Sequence, residues 1–165
     1  MTAQQDDGHR TAEPTGSGDA AGAVVVGMDG SASAAAALRW AAQQARSTGR
    51  PLQVLHCFQL KASQAEAAGE AFCAVATADA RARATRWVLD AVGPAVAVPW
   101  TLVVVEGPPG PTLAERSHDA ALLVVGTGEH TGIRRLAPGS VSHHVLSRAV
   151  PPVVAVHAPA RTGVA

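Results

Sequence analysis

Short apolar runs rich in β-branched residues recur along this chain and alternate with segments of helical spacing. The runs cover residues 23–28, 52–58, 96–105, 122–125 and 153–156. Such runs are typical of strands that are buried on both faces of a sheet. Because a helix separates each run from the next, the strands must pair in parallel through right-handed crossovers. We therefore predict an α/β fold, with one domain built on a doubly wound, open parallel sheet of five strands in the order 3-2-1-4-5 and helices on both faces.

The segments between these runs carry signals of helix starts and stops. The predicted helices cover residues 32–47, 62–92, 112–120 and 140–149. Ser31 is a capping residue before the first helix, and Gly49 closes it. Gly93 and the proline after it end the second helix, whereas Pro99 interrupts the third apolar run. The sequence predicts the element order β-α-β-α-β-α-β-α-β.

Length and composition indicate one domain with polar ends. The 165 residues suit a single domain of common size. Residues 1–21 are rich in Gly, Asp, Gln, Ser and Thr, so we expect a disordered tail there. The folded domain is then expected over residues 22–158, followed by a flexible tail over residues 159–165.

Charge and cysteine content limit the classes of partner. Thirteen Lys and Arg side chains balance thirteen Asp and Glu side chains, and no basic block is interleaved with aromatic residues. We therefore expect neither nucleic acid nor a membrane as a partner. Cys57 and Cys73 have neither metal-site spacing nor a disulfide framework. With no targeting or membrane-spanning segment in view, we expect a cytoplasmic protein.

A glycine-rich stretch follows the fourth run and suggests a phosphate site. Gly126, Gly128 and Gly132 allow a backbone to approach a ligand, and Gly139 and Ser140 open the last helix. The first N–H groups of a helix have no internal partner and carry the positive end of its dipole, so they bind phosphate well. Glycine in such a turn also has purely steric uses, which leaves a structural reading open.

The first strand ends in a second special segment. Asp29 follows the first run, and in a sheet of order 3-2-1-4-5 the ends of strands 1 and 4 lie side by side at the switch point. Asp29 could also cap the first helix or start a turn. Its place at the switch point favours the site reading.

Together, these motifs resemble the universal stress protein family over residues 23–157. The first motif is VGMDGS at residues 26–31, and the second is Gly126, two residues, a position held by Glu129, nine residues, then Gly139 and Ser140. In nucleotide-binding members, the first-strand Asp and the residue after the second-strand His contact adenine, and the glycine motif holds ribose and phosphates. The nucleotide-contacting residues that the resemblance implies are Gly27, Asp29, Cys57, Val125, Gly126, Thr127, Gly128, Gly139, Ser140 and Val141.

The resemblance implies an adenine-nucleotide-binding stress-response regulator. The expected ligand is ATP or AMP, with Mg²⁺ as a candidate companion ion. The resemblance also implies a homodimer formed through the last strand, which begins at Val153 and ends at Val156. This strand is short, apolar and expected at the sheet edge, where an unpaired strand is an aggregation risk.

One position departs from the family pattern and supports an alternative. Glu129 stands where the family has its middle glycine, and a carboxylate about 4 Å from a phosphate costs roughly 1 kcal/mol in water and about 4 kcal/mol near a protein surface. Arg134, Arg135, a protonated His130 or Mg²⁺ could offset this charge. The alternative function is a nucleotide-free dimeric interaction module of the same fold.

Catalytic signatures are weak by comparison. We find no nucleophile with an adjacent activator, no general base and no phosphate-loop lysine, so we expect binding and at most slow ATP hydrolysis. A nucleotidyl transferase is a third, less favoured reading. His56 lies inside the second strand and is interpreted as an interior residue whose polar atoms are satisfied, not as a catalyst.

Overall fold

The computed structural model describes residues 20–60, 69–93, 98–127 and 140–158. Within these ranges the sheet has five parallel strands in the order β3-β2-β1-β4-β5. The strands are β1 (Val24–Gly27), β2 (Leu52–Phe58), β3 (Trp100–Glu106), β4 (Leu122–Thr127) and β5 (Val153–His157). The predicted order 3-2-1-4-5 is confirmed.

Four helices connect the strands in the described residues, two on each face of the sheet. They are α1 (Ala32–Thr48), α2 (Glu70–Val92), α3 (Pro109–Arg116) and α4 (Ser140–Arg148). Helices α1 and α2 pack together over one face, and α3 and α4 pack together over the other. The predicted doubly wound architecture is therefore confirmed, and it places every helix N-terminus at the carboxyl ends of the strands.

Helix α1 shows how local sequence builds these layers. The Ser31 side chain accepts a hydrogen bond from the Ala34 N–H at 3.1 Å, which caps the helix start. Gly49 ends the helix with φ of 64°, a left-handed conformation that glycine adopts without strain. Between these caps, buried residues recur at helical spacing and face the sheet. They are Ala34, Ala37, Leu38, Ala41 and Ala45.

Alternation along the strands divides the core into two clusters. Val24, Val26 and Val54 face α1 and α2, whereas Val25 and Leu55 face α3 and α4. The second cluster also takes in Ala20, and the Ala23 N–H donates to the Ala20 carbonyl at 2.9 Å. Ala20 is thus already part of the packed core.

Three predicted elements differ from the structure by three or more residues at a boundary. Strand β3 begins at Trp100, not at residue 96, because Pro99 has no N–H to donate, although its carbonyl accepts from the Leu52 N–H at 3.1 Å. Helix α2 does not run unbroken from residue 62, since Gly69 has extended backbone angles, φ −66° and ψ 171°. Helix α3 begins at Pro109 and ends at Arg116, whereas the prediction was 112–120, because proline fits the first turn of a helix.

Candidate functional site

A pocket of about 110 Å³ opens at the carboxyl ends of β1, β2 and β4. This end of an open parallel sheet is where α/β proteins bind ligands. Its walls are mostly apolar, with a small number of polar groups, as in binding sites for small organic molecules. The lining residues are Gly27, Met28, Asp29, Ser31, Ala34, Leu55, Cys57, Pro109, Leu113, Val125, Gly126 and Val141.

The turn between β1 and α1 places a carboxylate at this pocket. The Asp29 side chain is exposed, and its Oδ1 accepts a hydrogen bond from the Ser31 N–H at 2.9 Å. Gly30 makes the turn with φ of 83°, a backbone conformation that other residues rarely adopt. Asp29 therefore shapes the turn and also lines the pocket.

Close packing at Gly126 brings β4 against the start of α1. A Cβ at this position would lie 2.5 Å from the Ser33 carbonyl carbon and 2.6 Å from the Ala34 nitrogen. Across the pocket, a Cβ on Gly27 would lie 3.2 Å from Leu113 Cδ1. Glycine at the ends of both central strands thus lets the surrounding elements approach the pocket closely.

Helix α4 is tied to the same strand end. The buried Ser142 hydroxyl donates to the Gly126 carbonyl at 3.2 Å, and Val141 lines the pocket. The first turn of α4 therefore lies beside β4, with backbone N–H groups that have no helical partner. The positive end of the helix dipole at this point favours an anionic ligand group.

Cys57 contributes an uncharged thiol to the wall. Burial raises the pKa of this thiol to about 11 from 9.0, and the positive charge of Arg116 opposes the rise more weakly. At neutral pH the side chain is a protonated thiol, so it is a small, weakly polar wall group and a poor nucleophile. The structure thus offers no activated cysteine at this pocket.

The opposite face of β2 carries a buried histidine. His56 is 5% exposed, and its Nδ1 lies 2.8 Å from the Met28 carbonyl oxygen. Its ring makes an edge contact with the Trp87 ring, with centroids 5.3 Å apart. Among the described residues, the other ring nitrogen, Nε2, has no hydrogen-bond partner. His56 is an interior residue as expected, but only one of its two nitrogens is paired in that part of the chain.

The structure brings many of the predicted site residues to one place. The pocket is lined by Gly27, Asp29, Cys57, Val125, Gly126 and Val141. Thr127 is not among the lining residues, since its hydroxyl donates to the Val156 carbonyl at 3.2 Å on β5. Ser140 is the first residue of α4. Gly128, Glu129 and Gly139 lie outside the described residues, as do Arg134, Arg135 and His130.

Sequence reasoning missed several wall residues. They are Met28, Ser31, Ala34, Leu55, Pro109 and Leu113. Leu55 could have been found, because it shares a strand face with Cys57 two residues later. Pro109 could not be placed, because the predicted start of α3 was too late. Leu113 lay inside the predicted helix, but the sequence did not show that this helix packs over β2.

Over residues 20–60, 69–93, 98–127 and 140–158, no group of three or more His, Cys, Asp or Glu is arranged to hold a metal ion. No helix in those ranges has the length and apolar character needed to cross a membrane.

Comparisons with known proteins agree with this architecture. A model of the universal stress protein family matches residues 22–157. A universal stress protein solved in complex with cAMP is 29% identical, with a TM-score of 0.56, and the match covers 85% of this chain and 99% of that one. No relative was found among curated proteins.

Two further solved structures share the fold at lower identity. A universal stress protein from Archaeoglobus fulgidus in complex with dAMP is 22% identical, with a TM-score of 0.59, and the match covers 83% of this chain and 98% of that one. A family protein from Arabidopsis thaliana with AMP bound is 19% identical, with a TM-score of 0.58 and coverage of 84% and 93%.

Proposed function

This chain belongs to the universal stress protein family, and we propose that it binds an adenine nucleotide in the pocket at the ends of β1 and β4. The observation that carries the proposal is the convergence of Asp29, Cys57 and Gly126 on one pocket wall. Asp29 lies in the turn after β1, Cys57 in β2 and Gly126 in β4, and the resemblance assigned all of them to nucleotide contact. Structural neighbours in complex with cAMP, dAMP and AMP support an adenylate as the ligand class.

Different parts of the pocket suit the base and the phosphate of an adenylate. Apolar groups such as Leu55, Leu113 and Val125 can cover the flat face of a purine. The Asp29 carboxylate accepts hydrogen bonds only, so it suits the exocyclic amine of adenine and disfavours the carbonyl oxygen at the same position of guanine. The first turn of α4, beside Val141, would hold the phosphate through backbone N–H groups.

The finer assignment is ATP or AMP, with Mg²⁺ accompanying ATP, in a cytoplasmic regulatory protein. Binding, not rapid chemistry, is the proposed activity, because the Cys57 thiol in the wall is protonated at neutral pH. Both described cysteines are free, which suits a reducing compartment. In this proposal the bound nucleotide changes the surface that the protein presents to partners.

A calorimetric titration tests the proposal by measuring which base the protein prefers, a preference that we assign to Asp29. The purified protein is titrated with AMP, GMP and ATP, the last with and without Mg²⁺. The variant Asp29→Asn keeps an oxygen for the Ser31 N–H but replaces the other carboxylate oxygen with a donor. We expect AMP to bind about tenfold more weakly and GMP to bind more tightly, since one charged hydrogen bond is worth roughly 1.5–3 kcal/mol.

The matched control is Asp90→Asn, at an exposed carboxylate near the far end of α2. This variant should bind AMP as the wild type does. If wild-type protein binds no adenylate at millimolar concentration, the proposal fails and the nucleotide-free interaction module is favoured. If Asp90→Asn weakens AMP as much as Asp29→Asn does, the assignment of Asp29 fails.

We also propose a homodimer formed through β5. This strand lies at the sheet edge, and Ala155 and His157 along it are exposed. An unpaired edge strand presents free backbone groups that a second copy can satisfy. Val150, three residues before the start of β5, is 65% exposed and adds an apolar side chain to the surface.

A further inference from the structure

We propose that His56 is a positioning residue for this pocket, acting on Asp29 from the opposite face of the sheet. The inference rests on the proposed nucleotide site and deepens it. His56 does not line the pocket, whereas Cys57, the next residue along β2, does. Adjacent strand residues point to opposite faces, so the histidine ring lies on the side of α1 and α2.

The hydrogen bond from His56 reaches the backbone directly before Asp29. Pairing between β1 and β2 ends at Gly27 and Leu55, and Met28 lies one residue beyond it. The Met28 N–H still donates to the Leu55 carbonyl at 3.0 Å. The Met28 carbonyl lies 2.8 Å from His56 Nδ1, and since a carbonyl only accepts, Nδ1 carries the proton. The His56 side chain thus adds a hydrogen bond between β2 and the residue that follows β1, one residue beyond the last backbone pair.

Trp87 of α2 lies against both the His56 ring and the turn at Gly30. Its ring lies nearly perpendicular to the His56 ring, at 87°, which restricts how the imidazole can rotate. The same indole lies directly under Gly30, where an added Cβ would be 2.5 Å from Cε2. Met28 and Gly30 flank Asp29, so the residue at the pocket is fixed from both sides.

The consequence for binding is selective. Losing the His56 hydrogen bond frees the Met28 carbonyl and lets Asp29 sample positions away from the purine edge. Affinity for AMP and discrimination against GMP should then fall together. A buried histidine that only fills space would change the stability of the fold but not the choice of base.

The experiment compares His56→Leu with His56→Asn. Leucine fills similar space without a donor, whereas the asparagine amide can donate from nearly the position of Nδ1. Trp87→Phe is tested beside Trp100→Phe, because both tryptophans are partly buried against the same core cluster and Trp100 lies at the amino end of β3. AMP and GMP affinities are measured by calorimetry, and amide hydrogen exchange at residues 29–31 is measured by NMR without ligand.

We expect His56→Leu to weaken AMP about tenfold and to speed exchange of the Ser31 amide, with His56→Asn restoring both to within about threefold. Trp87→Phe should shift both readouts in the same direction, and Trp100→Phe should shift neither. Unchanged exchange in a folded His56→Leu variant would overturn the inference, even if the wild type bound no nucleotide. Failure of His56→Asn to restore exchange would also overturn it.

Discussion

Replacing Gly126 with alanine tests the close contact on which the pocket depends. The added Cβ would lie 2.5 Å from the Ser33 carbonyl carbon, 2.6 Å from the Ala34 nitrogen and 2.7 Å from the Ser33 oxygen. Carbon atoms normally approach to about 3.5 Å, so β4 and the start of α1 must separate by about 1 Å. All three neighbours are backbone atoms, so no side-chain rotation can relieve the contact.

The cost follows from what α1 packs against. Its buried face contacts β4 and β1, and Ala34, Ala37 and Leu38 are at most 4% exposed. A gap of about 0.5–1 Å loses a quarter to a half of the dispersion energy at such an interface. Overpacking a core costs about 1–3 kcal/mol, and we expect about 2–3 kcal/mol here because only backbone can move. At roughly 3–4 °C per kcal/mol for a chain of this size, the Tm should fall by about 6–12 °C.

Urea unfolding followed by circular dichroism measures this loss, with thermal unfolding as a second readout. The control is Gly69→Ala, at a glycine with φ of −66° where, among the described residues, no atom lies within 4 Å of an added Cβ. Its free energy of unfolding should stay within about 0.5 kcal/mol of the wild type. A Gly126→Ala protein as stable as the wild type would refute the packing of α1 on β4 described above.

Three further predictions follow from the cap, the wall thiol and the edge strand. Ser31→Ala should lower the free energy of unfolding by about 1 kcal/mol in urea, because the Ala34 N–H loses its cap; no change would contradict the cap. The Cys57 thiol has a pKa of about 11, so in a Cys73→Ser background it should react with a disulfide reagent about a hundredfold more slowly at pH 8 than a thiol of pKa 9.0. The reaction should become faster as the pH rises towards 11, and fast labelling at pH 8 would rule out the raised pKa. Ala155→Pro should give a folded monomer in sedimentation velocity, and a persisting dimer would place the contact elsewhere.

The sheet order could be predicted because alternating strands and helices leave few allowed topologies. The boundaries of helices and strands next to proline were harder to predict. Pro99 directly precedes β3, whereas Pro109 begins α3, because proline fits the first turn of a helix but has no N–H to donate to a sheet. The same residue type therefore stops one element and starts another. The outcome depends on neighbours that a local window does not contain.

The candidate site likewise contains residues that the sequence could predict and residues that it could not. Residues in recognisable motifs, such as Asp29 and Gly126, could be proposed from the sequence, and the structure places both on one pocket wall. Leu113 reaches that wall only because α3 packs over β2, a contact between distant parts of the chain. The bond between His56 and Met28 likewise joins residues 28 positions apart. Neither contact leaves a periodic signal in the sequence.

The central position of β1 has a consequence for synthesis of the protein. Val24 pairs with Leu52 on one side and with Leu122 on the other, so β1 leaves the ribosome long before its second neighbour, β4, is made. Until then, one edge of this wholly apolar strand is unpaired and can pair with other nascent chains. We expect folding to be limited by this late closure, and we expect chains truncated before β4 to depend on chaperones for survival.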